Sequence, residues 1–280
     1  MSADTRLRLD HIVIAVGDLA QTMADFRALG FTVLAGGEHA GRTSHNALVV
    51  FADGAYLELI AWRAPAQNER WYRVQAAHGD GLVDFALLPH DTATALAQAQ
   101  ARGLATLTGP LDGQRLCPDG VQLLWQTARH ATPDLPFLCG DITPRGLRVP
   151  EGDVRVHANG ALGVDRVVVA VHDLDASLAR YEALLGPAAW TPEPAQYNAQ
   201  TGLREIAIPL AGVTIVLTTP ADLDSAPDAP AAAQALHARL ATRGEGPCAI
   251  VLRRAAGHAG SVVKSEWLHG LVLQFADTAG

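Results

Sequence analysis

The stretch Leu9-Asp10-His11-Ile12-Val13-Ile14-Ala15-Val16-Gly17-Asp18-Leu19 sets the reading of the whole chain. Its apolar run is rich in β-branched residues and reads as a strand. Asp18 is a good helix N-cap, and Leu19, Met23, Phe26 and Leu29 follow at helical spacing until Gly30. Phe31 to Leu34 reads as a short strand ended by Ala35-Gly36-Gly37. Ala47 to Phe51 and Ala55 to Ile60 read as a hairpin turned by Asp53-Gly54. The unit is therefore β-α-β-β-β.

That unit recurs along the chain. A second copy has a strand at 81–88, a helix capped by Asp91 and ending near Gly103, and later strands at 105–108 and 121–126, the last entered through Asp119-Gly120. A third has a strand at 164–171, a helix from Leu174 to Leu185 capped by Asp173, and strands at 203–210 and 213–218. A fourth is eroded, with a strand at 248–253, a hairpin of 261–267 and 271–275, and a helix at 230–242 that precedes the first strand. The expected fold class is α+β: repeated βαβββ modules forming curved mixed sheets, with the last module degenerate. Two domains follow, 7–150 (modules 7–62 and 80–140) and 151–280 (modules 163–220 and 228–277). Between them, Arg129 to Gly163 is rich in proline and glycine, as a boundary should be.

The copies can be placed in register. The capping aspartate lies seven residues after His11, Asp84 and Arg166 alike, and the turn glycine lies four before Glu58, Leu124, Val216 and Gln274. First-strand and fourth-strand slots thus hold His11 and Glu58, then Asp84 and Leu124. The weaker half offers Arg166 and Val216, then Cys248 and Gln274. Alternation puts Ile12, Ile14 and Val16 on one face, toward the helix, and His11, Val13 and Ala15 on the other. The same phase sends Tyr56, Glu58 and Ile60 inward, and Gln122, Leu124 and Gln126 inward in the second copy. An acid inside a strand-like apolar segment is costly unless paired, protonated or coordinating a cation. His11 and Glu58 are therefore expected to face one cavity.

Composition narrows the function classes. With 280 residues, 49% of them hydrophobic and 18% charged, the chain has ample core for one large domain or two ordinary ones. A net charge of −8 offers no basic footprint for nucleic acid and argues against an anionic membrane surface. No apolar run approaches a membrane span, and Met1 to Arg6 lacks the apolar core of a signal peptide. Cys117, Cys139 and Cys248 are odd in number and far apart, as expected of reduced core thiols in a cytoplasmic protein.

The residues Leu9 to Val16, Asp18-Leu19, Leu29-Gly30-Phe31, Thr43-Ser44-His45-Asn46-Ala47-Leu48 and Asp53 to Ile60 make the chain resemble the vicinal oxygen chelate superfamily, in its glyoxalase-like branch. Leu135-Pro136-Phe137 and Val164 to Leu185 extend the resemblance beyond residues 7–62. It implies paired βαβββ modules curled into a cup that holds a divalent metal, typically Zn, Ni, Mn, Mg or Fe(II). The activities it implies include glyoxalase, extradiol dioxygenase, epimerase and antibiotic-modifying or antibiotic-binding proteins. Carried over by position, His11 and Glu58 match the first module's ligand slots. Asp84 could add a third ligand, whereas Leu124 cannot coordinate.

Each site residue also has a plain structural reading. His11 could be a neutral core histidine, Glu58 could pair with Arg42 or Arg63, and Asp84 could bond a backbone group. Thr43, His45 and Asn46 suit substrate recognition, with His45 or Glu58 as proton carrier; Thr43 and Asn46 could equally organise a turn. Tyr56 and Gln122 complete the expected substrate wall, Trp62, Trp71 and Tyr72 would cover its mouth, and Trp125 is expected in the core on the helix side. Two functions stay open. One is a metal-dependent lyase, isomerase or dioxygenase acting on a small oxygen-rich or aromatic molecule. The other is a metal-free small-molecule binding or resistance protein. A homodimer would cover sheet edges left by the degenerate half.

Overall fold

A computed structural model of the chain describes residues 7–117, 119–186, 190–221, 229–257 and 269–276. In the first half the strands are β1 (Arg8–Ala15), β2 (Leu34–His39), β3 (Ser44–Val50), β4 (Tyr56–Trp62), β5 (Gly81–Leu88), β6 (Thr108–Leu116), β7 (Gln122–Arg129) and β8 (Phe137–Asp141). Helices α1 (Leu19–Ala28), α2 (Arg70–His78), α3 (Thr92–Ala101) and the short α4 (Arg145–Arg148) connect or flank them. The strands close into one barrel in the order β1-β4-β3-β2-β6-β7-β8-β5. Two βαβββ modules meet where β1 runs antiparallel to β5, and within each module first and fourth strands are parallel, β1 with β4 and β5 with β8.

The second half contains β9 (Ala161–Ala170), α5 (Leu174–Leu185), β10 (Gln196–Asn198), β11 (Leu203–Leu210), β12 (Val213–Pro220), α6 (Ala231–Arg243), β13 (Gly246–Arg254) and β14 (Val272–Phe275). These strands form a six-stranded sheet ordered β10-β11-β12-β9-β13-β14. Leu236 and Leu240 of α6 pack with Ala170, Leu203 and Cys248, so a helix occupies a face of this sheet. The first strand of the fourth module's expected hairpin, 261–267, lies outside the described residues.

The repeated caps are real. Asp18, Asp91 and Asp173 each accept a hydrogen bond from the backbone N–H three residues on, at 2.9, 2.7 and 3.0 Å. Each satisfies a donor that the start of a helix leaves unpaired. Strand alternation also holds in the first module. Ile12, Ile14, Val16, Leu57 and Leu59 join the large core under the helices, while Val13, Ala15 and Ile60 face the barrel interior.

The second module departs from the expected register. Its fourth strand is β8, around Phe137-Leu138-Cys139, and not 121–126. The overlooked strand is β6, Thr-Gly-Pro-Leu-Asp-Gly-Gln-Arg-Leu, whose glycines and proline read as loop and whose residues are mostly exposed. Asp119-Gly120 therefore turns β6 into β7, one strand earlier than its supposed counterpart. Leu124 does not hold the fourth-strand slot. Val13 of β1 faces Glu58 of β4, and its counterpart Ala86 of β5 faces Phe137 of β8. Phe137 is thus the residue equivalent to Glu58. The phase of β7 is reversed as well: Trp125 and Thr127 line the interior, while Gln122 and Leu124 are exposed. One further expectation fails: the second strand runs through Gly36-Gly37 to His39 and not over 31–34.

Candidate active site

The barrel encloses a cavity of about 260 Å³. Strand β1 supplies His11, β4 supplies Tyr56 and Glu58, β3 supplies Asn46, and β2 ends in His39. Glu58 is 6% exposed and stands between two imidazoles. His11 Nε2 lies 3.5 Å from its Oε2, and His39 Nε2 lies 3.7 Å from its Oε1.

Both rings are held from behind. His11 Nδ1 is 2.7 Å from Asp10 Oδ2, and His39 Nδ1 is 3.1 Å from Ser44 Oγ. An ionised Asp10 can only accept, so His11 carries its proton on Nδ1 in the neutral form and turns an Nε2 lone pair to Glu58. His11 also stacks on Tyr56, with ring centroids 4.7 Å apart and planes 13° apart. His39 meets Trp125 edge to face.

Asp10 is fully buried and anchors the network. Burial alone would raise its pKa, but Arg148 and His11 outweigh that and hold it well below the ordinary carboxylate value. Arg148 Nη1 donates to Asp10 Oδ2 at 2.8 Å, Arg145 Nη1 to Asp10 Oδ1 at 2.6 Å, and both arginines also reach Asp141. Arg148 Nη1 further donates to the Tyr56 hydroxyl at 2.7 Å.

On the other side, Arg115 Nη1 donates to Asn46 Oδ1 at 2.9 Å, and Asn46 Nδ2 donates to Glu58 Oε1 at 2.5 Å. Because arginine cannot accept, it fixes which end of the Asn46 amide faces Glu58. A Cβ on Gly36 would overlap both the Asn46 amide and the Arg115 guanidinium, so glycine is required there for this contact. Burial raises the Glu58 pKa, yet His11, His39, Asn46 and Arg115 together hold it below its ordinary value. Burial is the main influence on His39 and lowers its pKa despite Glu58, so the ring is neutral at pH 7.

The structure brings together His11, Glu58, Tyr56 and Asn46. It does not bring Asp84 to them. Asp84 Oδ2 accepts from Trp71 Nε1 at 2.8 Å, Oδ1 accepts from its neighbour's backbone N–H, and Arg70 approaches at 3.6 Å. His45 faces the other side of β3, against Glu38, Arg63, Leu19 and Met23. Thr43 is exposed and donates to the Ala64 carbonyl at 2.9 Å. Gln122 lies outside the cavity and donates to Gln114. Trp71 lines the cavity, as a cover should, and Trp125 lines it too instead of filling the core. In the second half Arg166 pairs with Asp165 at 2.8 Å.

Reading the sequence alone missed His39, Asp10, Arg115, Arg129 and Arg148. His39 was hidden behind Gly36-Gly37, which read as the end of a strand. Asp10 adjoins His11, and two adjacent ionisable residues opening an apolar run were the available signal.

The donor set can be tested against the metal that the resemblance implies. Among the described residues, one group of three metal-capable side chains has its donor atoms within 4.8 Å of one another: Asp10, His11 and Cys139. It suits a metal poorly, since both Asp10 oxygens are taken by arginines and His11, and burial raises the Cys139 pKa so that it stays a thiol. His11 Nε2, His39 Nε2 and the Glu58 carboxylate are the better donor set by chemistry. They are two imidazoles and a carboxylate, with the far nitrogen of each ring already oriented by a partner. The two nitrogens approach opposite oxygens, Oε2 and Oε1, and the three donor atoms do not all lie within 4.8 Å of one another, so an ion would have to draw them together.

The family model described as glyoxalase-like domain matches residues 9–185. The chain belongs to this glyoxalase-like family. Among solved structures, a hypothetical protein from Staphylococcus aureus has a TM-score of 0.66 at 13% identity, covering 96% of this chain and 99% of that one. A mutant 4-hydroxymandelate synthase from Streptomyces coelicolor has a TM-score of 0.61 at 16% identity, covering 89% and 71%. A xylose isomerase-like TIM barrel/4-hydroxyphenylpyruvate dioxygenase fusion protein has a TM-score of 0.52 at 19% identity, covering 89% of this chain and 36% of its own. At these identities the likeness is one of fold, that of the vicinal oxygen chelate proteins. No curated protein matches the sequence. Among the described residues no helix is long and apolar enough to cross a membrane.

Proposed function

We propose that the first barrel of this glyoxalase-like protein is a divalent-metal centre of the lyase, isomerase or dioxygenase type, acting on a small oxygen-rich molecule. The observation that carries this reading is the approach of two oriented imidazole nitrogens to the two oxygens of one buried carboxylate inside the closed barrel. His11, His39 and Glu58 would hold the ion. A bound divalent ion supplies Lewis-acid stabilisation to vicinal oxygens of the substrate. Two nitrogen donors and one carboxylate favour Fe(II), Ni or Zn over Mg, and this set is the one non-haem Fe(II) oxygenases use.

The protein's own part is orientation and exclusion of water. Asp10 and Ser44 hold the rings, and Asn46 restrains Glu58 Oε1, leaving Oε2 toward His11. Trp71 and Trp125 wall the cavity, and a low-dielectric wall strengthens each charge interaction inside it. His45 has no place in this chemistry.

Calorimetric titration of chelator-treated protein with Zn, Ni and anaerobic Fe(II) tests the proposal. One ion per chain is expected, with affinity at least tenfold weaker in His11→Ala, His39→Ala and Glu58→Gln and unchanged in Asp84→Asn. Equal affinity in all variants would remove the centre.

A metal-free binding protein is the second reading. It is favoured by Phe137 standing where a fourth ligand would be and by Asp84 being engaged with Trp71. Small-molecule binding indifferent to EDTA, in a protein that takes up no ion, would select it.

A further inference from the structure

Arg129, the last residue of β7, lines the cavity without an acceptor. Its guanidinium lies over the Trp71 and Phe137 rings, 4.7 Å from each centroid. Among the described residues its guanidinium makes no hydrogen bond or ion pair, while its backbone carbonyl accepts from Thr108 Oγ1 at 3.2 Å. The cavity's other arginines are occupied: Arg115 by Asn46, Arg148 by Asp10 and Asp141, and Arg42 faces Glu69 at 3.6 Å. Asp84 attracts Arg129 through space, but its oxygens are engaged by Trp71 and by the Phe85 backbone. Burial is the main influence on Arg129 and disfavours its charge.

A partly desolvated cation is costly unless something answers it, and within the described protein only the two rings and, through space, Asp84 do, with no carboxylate oxygen bonded to it. The two rings hold the guanidinium in place by cation–π contact, so its planar fork of N–H donors is preorganised. That fork matches a carboxylate in bidentate fashion.

We propose that Arg129 is the anion anchor of the barrel and that the molecule taken up there is a small monocarboxylate. The inference rests on the reading of this cavity as the place where a substrate sits. A single positive charge with no carboxylate bonded to it calls for one negative charge. Glu58 and Asp112, in the same cavity wall, oppose a dianion such as phosphate. At about 260 Å³ the space lies just below the usual range for small-molecule sites, so the acid must be compact. Trp125 also lines this space and gives it an aromatic wall.

The test is calorimetry of the full chain, with EDTA present throughout, using sodium benzoate, benzyl alcohol and inorganic phosphate as probes. Benzoate is expected to bind saturably and more tightly than either of the others. Arg129→Met, which keeps a side chain between the rings, should weaken benzoate at least tenfold and leave benzyl alcohol unchanged. Arg129→Lys keeps the charge without the fork and should weaken benzoate several-fold, which covers the case in which the methionine variant misfolds. Equal benzoate binding in both variants, preference for phosphate, or no saturable benzoate binding would each overturn the proposal. Because EDTA is present, failure of the metal centre leaves these outcomes readable. Metal titration of Arg129→Met, expected to match wild type, separates the two claims.

Discussion

Asp10→Asn changes one atom and tests how the site is built. In the native barrel Asp10 is fully buried and takes hydrogen bonds from Arg145, Arg148 and His11. The asparagine keeps the shape, removes the charge and turns a donor toward groups that only donate. Arg148, 5% exposed, then keeps only Asp141 as a counter-charge. Losing one partner of a buried pair costs about 3–5 kcal/mol, or about 6–20 °C of melting temperature at roughly 2–4 °C per kcal/mol. The second effect falls on His11. An amide N–H facing Nδ1 forces that nitrogen to accept, so the ring proton moves to Nε2 and blocks the lone pair aimed at Glu58. Loss of such an orienting partner weakens metal affinity by about 10–100-fold. Asp141→Asn is the control, because it also strips charge from Arg148 and Arg145 without touching His11. It should lose stability and keep metal affinity. Thermal melts by circular dichroism and calorimetric metal titration at pH 7.5 read the two effects separately. If Asp10→Asn binds the metal as tightly as Asp141→Asn does, the reasoning about His11 fails.

Asn46→Asp would set a second carboxylate against Glu58; it should raise the Glu58 pKa and lower the melting temperature, and a Glu58 titration by NMR that does not move would contradict this. Gly36→Ala should disrupt the Arg115–Asn46–Glu58 chain with the same sign, while Gly41→Ala, where a Cβ has open space, loses only what its left-handed backbone imposes. Stability should fall with acid in two stages. His39, His130 and His157 have folded pKa values lowered by burial, so below the ordinary 6.5 the unfolded chain binds more protons and stability declines. Asp10 and Glu58 have folded values below the ordinary 3.8 and 4.5, so their contribution is complete above those values and disappears as pH falls further. A melting temperature that rises between pH 7 and pH 5 would contradict that sign. His45→Ala should leave metal binding unchanged, because the ring faces away from the barrel interior.

The first module was legible because each of its signals agrees with the others. β-branched alternation, an aspartate cap and an Asp-Gly turn all point to one register, and that register puts His11 and Glu58 face to face. The second module was misread where local chemistry contradicts the fold. β6 carries two glycines and a proline in an exposed strand, and skipping it shifted the later strands of that module by one. That shift placed Leu124 where Phe137 stands and reversed the facing of Trp125. Gly36-Gly37 did the same on a smaller scale. The pair serves close approach between β2 and the Asn46–Arg115 contact, but in sequence it looks like a break, and it concealed His39. Asp84 shows a different limit. Spacing put it in the right slot, but only the packing of α2, invisible to periodicity with its single buried residue Trp71, shows what the carboxylate bonds. Arg145 and Arg148 reach Asp10 from more than 130 positions away, a distance no local pattern spans.

The central claim is that His11, His39 and Glu58 share one ion. Anomalous diffraction at the metal edge, from a crystal of protein purified without chelators and soaked in Ni or Zn, addresses it directly. The expected result is one strong peak within bonding distance of His11 Nε2, His39 Nε2 and the Glu58 carboxylate. A featureless barrel interior, or a peak held instead by Asp84 or by surface carboxylates, would contradict it.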